Sequence, residues 1–362
     1  MDTPAIVIDH SKLMHNIKKT ADMARKKGVH LRPHVKTHKI PYIARKQVEA
    51  GAVGITVAKV TAAEVMADHG IDDIFVAYPL VTEQKIQKAI ALNDRIRLIV
   101  AADSLTGAKL LSSAAEERNT TLEVWLEVDT GLRRTGVPYD QAVELAKQIN
   151  ALPNLYLAGI YTFRGPLLNG ESTLRLQEAG EEEGRIMVAL AEQIRKEGIA
   201  IRDVSVGSTQ TSAYAAEVPG VTEVRPGTNV FNDAMQISYG CCTEEECAAT
   251  VRATVVSRPY EELAIVDGGS KTFATDVQPG EPPINLNGYG KVVGHTNVAF
   301  KGMKEEHGIL HIDGETDLKI GDVVEIIPNH ICSTVNLHNE VWIKDENGRY
   351  EAYPVLARGK LQ

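Results

Sequence analysis

Glu223-Val224-Arg225-Pro226-Gly227-Thr228-Asn229-Val230-Phe231 is the stretch on which the fold turns. It closes a series of short, β-branched, apolar segments, and from Asn232 to Gly240 the pattern of the chain changes. Working back from it, similar segments stand at Arg202–Gly207, Leu155–Thr162, Leu122–Val128, Arg95–Ala101, Asp73–Pro79, Gly54–Val60 and His30–Val35. Helical periodicity with charged faces fills the gaps, as in Thr61–His69, Thr82–Leu92, Leu105–Arg118, Tyr139–Ile149 and Ser172–Lys196. Strands that are apolar on both faces are those a buried parallel sheet requires. Eight of them, each followed by a helix or short turn, match an α/β fold of the (β/α)8 barrel type. An open doubly wound sheet is the alternative; the count of eight before the pattern changes favours the barrel.

Beyond Gly240 the period becomes two, with turn signals at Asp267-Gly268-Gly269, Asn287-Gly288-Tyr289-Gly290 and Asp345-Glu346-Asn347-Gly348. Thr250–Val256, Ile309–Ile312, Val323–Ile327 and Val341–Lys344 read as antiparallel strands of a C-terminal β domain. The N-terminal run Ala5–Asp9 is a strand that can pair into that domain, and Ser11 is placed to cap the helix after it. The expected division is a barrel over 10–235 and a β domain over 1–9 and 236–362. No internal repeat or low-complexity segment is visible.

The 362 residues are 43% hydrophobic and 24% charged, with a formal net charge of −9. That balance suits a globular protein and disfavours nucleic acid or an anionic membrane surface as partner. Four cysteines (Cys241, Cys242, Cys247, Cys332) in so long a chain make no disulfide framework and imply a reducing compartment. No signal-peptide pattern opens the chain, and no apolar run approaches the roughly 18 residues that span a bilayer. A cytoplasmic location is the expectation.

In a barrel, chemistry collects at the C-terminal ends of the strands. The first strand ends in Arg32-Pro33-His34-Val35-Lys36-Thr37-His38-Lys39. In isolation such a run reads as a solvated basic turn, but at a buried strand end unpartnered charge is costly. A lysine in apolar surroundings beside other cations loses affinity for its proton and becomes an amine nucleophile, which makes Lys36 the candidate. Strand five ends in Asp129-Thr130-Gly131-Leu132-Arg133-Arg134 and strand six in Tyr161-Thr162-Phe163-Arg164-Gly165. Strand seven ends in Gly207-Ser208-Thr209-Gln210-Thr211 and strand eight carries Arg225, Gly227 and Thr228. The last two are rich in glycine and hydroxyls, as phosphate cradles are. A reactive lysine facing a phosphate cradle suggests pyridoxal 5′-phosphate, with Phe163 placed to stack on its ring. In the β domain, His330 and Cys332 lie two apart on a segment read as extended, so both face one side. Imidazole and thiolate suit zinc or a similar ion, and two ligands leave positions open for water and substrate. His307 and His338 receive no role.

Together, Arg-Pro-His-Val-Lys-Thr-His-Lys, the Gly-Ser-Thr turn, Val-Arg-Pro-Gly-Thr and the late Pro-Asn-His-x-Cys resemble the D-threonine aldolase and eukaryotic-type D-serine dehydratase family. These are pyridoxal phosphate enzymes of the alanine racemase fold, fold type III. The resemblance runs in order along nearly the whole chain. It implies a homodimer acting on D-amino acids, with a divalent metal, zinc or manganese, beside the cofactor. It further implies that Lys36 is the Schiff-base lysine and that Arg134 serves the cofactor's phenolic oxygen. By the same likeness Ser208, Thr209, Gly227 and Thr228 are phosphate ligands, Arg225 matches the arginine at the pyridine nitrogen, and His330 and Cys332 are the metal ligands.

Two lyase reactions fit. If the metal draws off the β-hydroxyl as hydroxide, Lys36 removes the α-proton and the outcome is dehydration to a 2-oxo acid and ammonia, as with D-serine or 3-hydroxyaspartate. If the hydroxyl loses its proton instead, the Cα–Cβ bond breaks, giving glycine and an aldehyde. Thr334-Val335-Asn336-Leu337 resembles the aldolase branch; Cys332 resembles the dehydratase branch, and Asn169 stands where aldolases carry a histidine. The balance is struck at D-threonine aldolase, with the dehydratase as alternative. A racemase would need a second acid/base residue that is not apparent, and a non-catalytic carrier usually consists of the barrel alone.

Overall fold

The β-branched segments that alternate with amphipathic helices do form strands. The computed structural model describes residues 1–362, which fall into two compact units. One comprises Met1–Ile17, Thr37–Ile40 and Thr228–Gly359; the other comprises Lys18–Lys36, Pro41–Gly227 and Lys360–Gln362. In chain order the strands begin with β1 (Ala5–Asp9), β2 (His30–Leu31), β3 (Ile55–Val57), β4 (Asp73–Pro79) and β5 (Arg97–Ala102). They continue with β6 (Leu122–Asp129), β7 (Leu155–Tyr161), β8 (Asp203–Val206) and β9 (Glu223–Val224).

Strands β2 to β9 make a parallel sheet in the order β2-β9-β8-β7-β6-β5-β4-β3. The two ends meet: His34 bridges Thr56 in parallel, Val53 N donates to Leu31 O and Thr56 N to Pro33 O, both at 2.9 Å. The result is a closed (β/α)8 barrel rather than a doubly wound sheet. Its interior is packed by Phe75, Ile99, Ala101, Trp125, Ala158 and Tyr161. The Phe75 ring lies 4.6 Å from Trp125 and meets Tyr161 edge-on at 4.8 Å, an arrangement aromatic quadrupoles favour.

The first and eighth strands are shorter than the sequence suggests. Each is followed by an Arg-Pro pair, Arg32-Pro33 and Arg225-Pro226, and proline has no N–H for the ladder. Three-residue 3₁₀ turns follow at Val35–Thr37 and Thr228–Val230. The first helix spans His10–Lys27, and its cap is Asp9, whose Oδ1 accepts Lys12 N at 3.0 Å, in place of the expected Ser11.

The other unit is antiparallel. Its further strands are β10 (Ala249–Tyr260), β11 (Leu263–Val266), β12 (Gly290–Val292), β13 (Val298–Met303), β14 (Gly308–Ile312), β15 (Val323–Pro328), β16 (Glu340–Lys344) and β17 (Tyr350–Pro354). The order is β11-β14-β13-β12-β15-β10-β1-β16-β17, and β10 also pairs β11, so six strands close into a small barrel. Strand β10 serves three neighbours because its register shifts after Val255 and after Ser257, bending the strand where partners change. Strand β1 joins this sheet as expected, with Val7 opposite Thr250 on one side and Trp342 on the other. No helix is long and apolar enough to cross a membrane.

Candidate active site

In the (β/α)8 unit, Lys36 sits in the 3₁₀ turn after β2, half-buried. Its Nζ lies 5.1 Å from the centre of the Phe163 ring, and Arg134 Cζ lies 5.0 Å from the same ring. Phe163 arrives from the end of β7 and Arg134 from the loop after β6, where Asp129 Oδ1 accepts Gly131 N at 2.9 Å and Arg133 N at 3.0 Å. His34 Nδ1 is the acceptor facing Lys36 N at 3.4 Å. Burial, and then the cations Lys36, Arg225 and Arg134, hold the His34 pKa well below its ordinary value, so the imidazole is neutral. Arg225 is buried, bonded to Ser205 Oγ and Thr162 O, with its guanidinium 5.1 Å from the Tyr161 ring centre.

The turn after β8 has its shape dictated by Gly207, at φ +83°. A Cβ there would lie 2.8 Å from Ser212 Cα, so only glycine fits. Ser208 N donates to Thr211 Oγ1 at 3.0 Å. Gly227 N donates to Thr209 Oγ1 at 3.3 Å, which links the turn to the one after β9. Ser208, Thr209 and Gly227 are therefore together.

In the antiparallel unit, His330 and Cys332 are brought together, though not on an extended segment. His330 is the extended residue before a short helix, Ile331–Val335, and Cys332 lies in its first turn. Asp276 Oδ2 is 2.6 Å from His330 Nδ1 and accepts Ser333 Oγ at 2.8 Å. Cys332 Sγ lies 3.2 Å from Thr37 Oγ1 and 3.5 Å from Thr228 Oγ1. The Thr228 hydroxyl is thus placed at the thiol. Burial opposes charge on His330, but the Cys332 thiolate and Asp276 outweigh it and push the imidazole up to about 11. Burial likewise opposes ionisation of Cys332, and His330 with the hydroxyls of Thr228 and Thr37 turns the balance, leaving the thiol below its ordinary value. Asp233 Oδ2 accepts Ile331 N at 3.0 Å and holds this turn from behind.

Not every member of the Arg32–Lys39 cluster surrounds the lysine. Arg32 is 2% exposed and engaged by Asp73 and Glu223. Lys39 Nζ donates to Asn336 Oδ1 at 2.7 Å, and His38 packs edge-on against Phe231 at 6.3 Å. His338, left without a role, has its Nε2 3.1 Å from Thr272 O. Sequence reading missed Asp276, Asp233 and the buried Glu183, whose Oε1 accepts Gly207 N at 3.1 Å. Their partners are distant in the chain, and no local motif marks them.

The donors fit pyridoxal phosphate. The Gly207 turn with the Ser208 and Thr209 hydroxyls suits its phosphate, the Lys36 amine its aldehyde, and Arg134 its phenolate oxygen. His330 and Cys332 suit a divalent ion as a two-donor site with a carboxylate behind the imidazole; no third His, Cys, Asp or Glu completes a cluster.

Residues 8–234 match the family described as alanine racemase, N-terminal domain, and residues 248–343 match the "Putative serine dehydratase domain". D-threo-3-hydroxyaspartate dehydratase of a Delftia species is 35% identical over 352 residues, 92% of each chain. Its solved structure superposes with TM-score 0.90 at 32% identity, covering 98% of this chain and 97% of that one. Solved variants of that enzyme include a histidine-to-alanine form and a cysteine-to-alanine form described as metal-free, the two positions lying two apart. D-threonine aldolase of an Arthrobacter species is 28% identical, covering 99% of this chain and 93% of its own. The crystal structure of D-threonine aldolase from Filomicrobium marinum gives TM-score 0.90 at 29% identity, covering 100% and 96%. The chain therefore belongs to the pyridoxal-phosphate-dependent lyases of the alanine racemase fold, the group that holds D-threonine aldolases, D-serine dehydratases and 3-hydroxyaspartate dehydratases.

Proposed function

We propose that the chain is a dehydratase of D-3-hydroxy-amino acids, D-serine and D-threo-3-hydroxyaspartate being the first substrates to test. Its cofactors are pyridoxal 5′-phosphate and a divalent ion, zinc or manganese. The observation that carries this reading is the loop after β7. A retro-aldol cleavage needs a base for the substrate hydroxyl, and this segment carries at the turn between the paired Leu167–Leu168 and Glu171–Ser172 an asparagine, Asn169, whose amide takes no proton. The loop's surroundings are also committed: Arg164 Nη2 bonds Leu167 O and Glu182 at 2.8 Å, and the Asn169 backbone N–H lies 3.2 Å from Glu182. Dehydration asks only for an α-proton base and a departing hydroxide.

Lys36 binds the cofactor's aldehyde and is the base that takes the α-proton. Ser208, Thr209 and Gly227 hold the phosphate, Arg134 the phenolate side, and Phe163 flanks the ring. The cofactor, when bound, supplies a sink for the charge left at Cα. His330 and Cys332 hold the divalent ion, which supplies Lewis acidity to the β-hydroxyl. The His-x-Cys pair and the 35% identity to a 3-hydroxyaspartate dehydratase support the same choice.

The second reading, D-threonine aldolase, was the one the sequence favoured, on Thr334-Val335-Asn336-Leu337. The aldolase relative at 28% identity keeps it in view. Incubation with D-serine, D-threo-3-hydroxyaspartate and D-threonine separates the two. We expect 2-oxo acid and ammonia; glycine and acetaldehyde from D-threonine with no ammonia would establish the aldolase. A homodimer is part of the proposal, and light scattering on the purified protein tests it.

A further inference from the structure

Glu183, on the helix Leu176–Lys196, is 1% exposed. A carboxylate buried so fully is costly unless its oxygens are used. Both are: Oε1 accepts Gly207 N at 3.1 Å and Oε2 accepts the Thr211 hydroxyl at 3.0 Å. The helix comes close enough because Gly180 and Gly184 flank the glutamate. A Cβ on Gly180 would lie 2.7 Å from Thr211 O, and one on Gly184 2.8 Å from Val218 Cγ2.

We propose that Glu183 is a positioning residue that holds the Gly207–Thr211 turn in the shape that receives the cofactor's phosphate. This rests on the pyridoxal phosphate reading above and concerns a residue outside the phosphate ligands themselves. The proton wiring makes the case. Thr211 has one hydroxyl proton and gives it to Glu183, so toward Ser208 its oxygen only accepts. It takes Ser208 N at 3.0 Å, and Ser208 Oγ stands 3.0 Å from it. The Ser208 proton then goes to that oxygen or to an anion entering the turn. Glu183 thus orders a hydroxyl it does not touch. Burial raises the Glu183 pKa, while its bonds to Gly207 and Thr211 and the guanidinium groups of Arg164 and Arg225 oppose the rise.

The test compares pyridoxal phosphate with pyridoxal, which lacks only the phosphate, as ligands of the full-length chain stripped of cofactor. Dissociation constants come from absorbance titration, so turnover is not needed. Glu183→Leu removes both acceptors and is expected to weaken pyridoxal phosphate at least tenfold while leaving pyridoxal within about twofold. Glu183→Gln, which keeps an acceptor for Gly207 N but turns an N–H rather than an acceptor toward Thr211, is expected to fall between wild type and the leucine variant. Thr211→Val should repeat the loss and Thr211→Ser should reverse it, which serves if the leucine variant does not fold. Variants that fold and keep the wild-type preference would overturn the proposal, as would variants that lose both ligands equally. Wild-type protein with no preference for the phosphorylated ligand would overturn the cofactor reading along with it.

Discussion

Replacing Asp276 with alanine should weaken divalent-metal binding about tenfold while leaving pyridoxal phosphate binding intact. Asp276 Oδ2 sits 2.6 Å from His330 Nδ1, and Ser333 Oγ donates to the same oxygen at 2.8 Å. A carboxylate at Nδ1 fixes the ring orientation and places the donor lone pair on Nε2, the nitrogen left for a metal. Removing such a partner ordinarily costs about 10- to 100-fold in metal affinity. The Asp276 side chain is 44% exposed and that of His330 22%, so water screens the pair and the lower end applies, about 1.4 kcal/mol. Asp276→Asn keeps an acceptor without the charge and should fall between wild type and alanine. Cobalt(II) titration is the assay: the Cys332 thiolate gives a charge-transfer band, and competition with a chromophoric chelator gives the constant. An Asp276→Ala protein that binds cobalt within twofold of wild type would refute the assignment of His330 Nε2 as a donor.

Other outcomes follow from the (β/α)8 unit. Purified protein should be yellow, and Lys36→Ala should lose that visible band; a colourless wild type loaded with some other cofactor would remove Lys36 from its role. Gly207→Ala forces a Cβ to 2.8 Å from Ser212 Cα at φ +83°, and should cost about 1–3 kcal/mol in urea denaturation and lower pyridoxal phosphate affinity. His34 has a folded-state pKa well below its unfolded value, so below about pH 6.5 the unfolded chain binds a proton that the folded chain refuses. As pH drops below about 6.5, stability of the cofactor-free protein should therefore decrease more steeply in wild type than in His34→Gln, by up to about 1.4 kcal/mol per unit, and parallel pH profiles would contradict the neutral imidazole.

The barrel was legible because buried parallel strands announce themselves: Ile74, Phe75 and Val76, or Leu98 to Ala102, are apolar without alternation since both faces are covered. Strand ends were less so, because buried residues continue past Leu31 and Val224 through Pro33 and Pro226, where the ladder loses its donor. His330-Ile331-Cys332 was read as extended since a five-residue helix is too short to display a period. The supporting carboxylates were invisible for a different reason. Asp276 bonds His330 across 54 residues, Asp233 bonds Ile331 across 98, and Glu183 bonds Thr211 across 28. Only the closed fold brings them together.

The disposal of charge in Arg32–Lys39 shows why composition alone misleads about such a run. Arg32 Nε donates to Glu223 Oε2 at 2.9 Å, and its other face meets Asp73, so two carboxylates answer one buried guanidinium. Glu223 Oε1 in turn accepts Ser205 Oγ at 2.7 Å, and Ser205 Oγ is bonded by Arg225. The negative charge that Glu223 carries is thus shared between the arginine that opens the cluster and the arginine at the end of β9. His34 is neutral, and its Nδ1 accepts from the turn that carries Lys36, so protonating it would set a proton against the Lys36 N–H. Lys39 turns to Asn336. Of five basic residues, one is neutral and two are committed elsewhere, which is why the run makes no anion-attracting patch. What it makes is a turn whose geometry depends on a neutral imidazole, and Lys36 is the residue that turn presents.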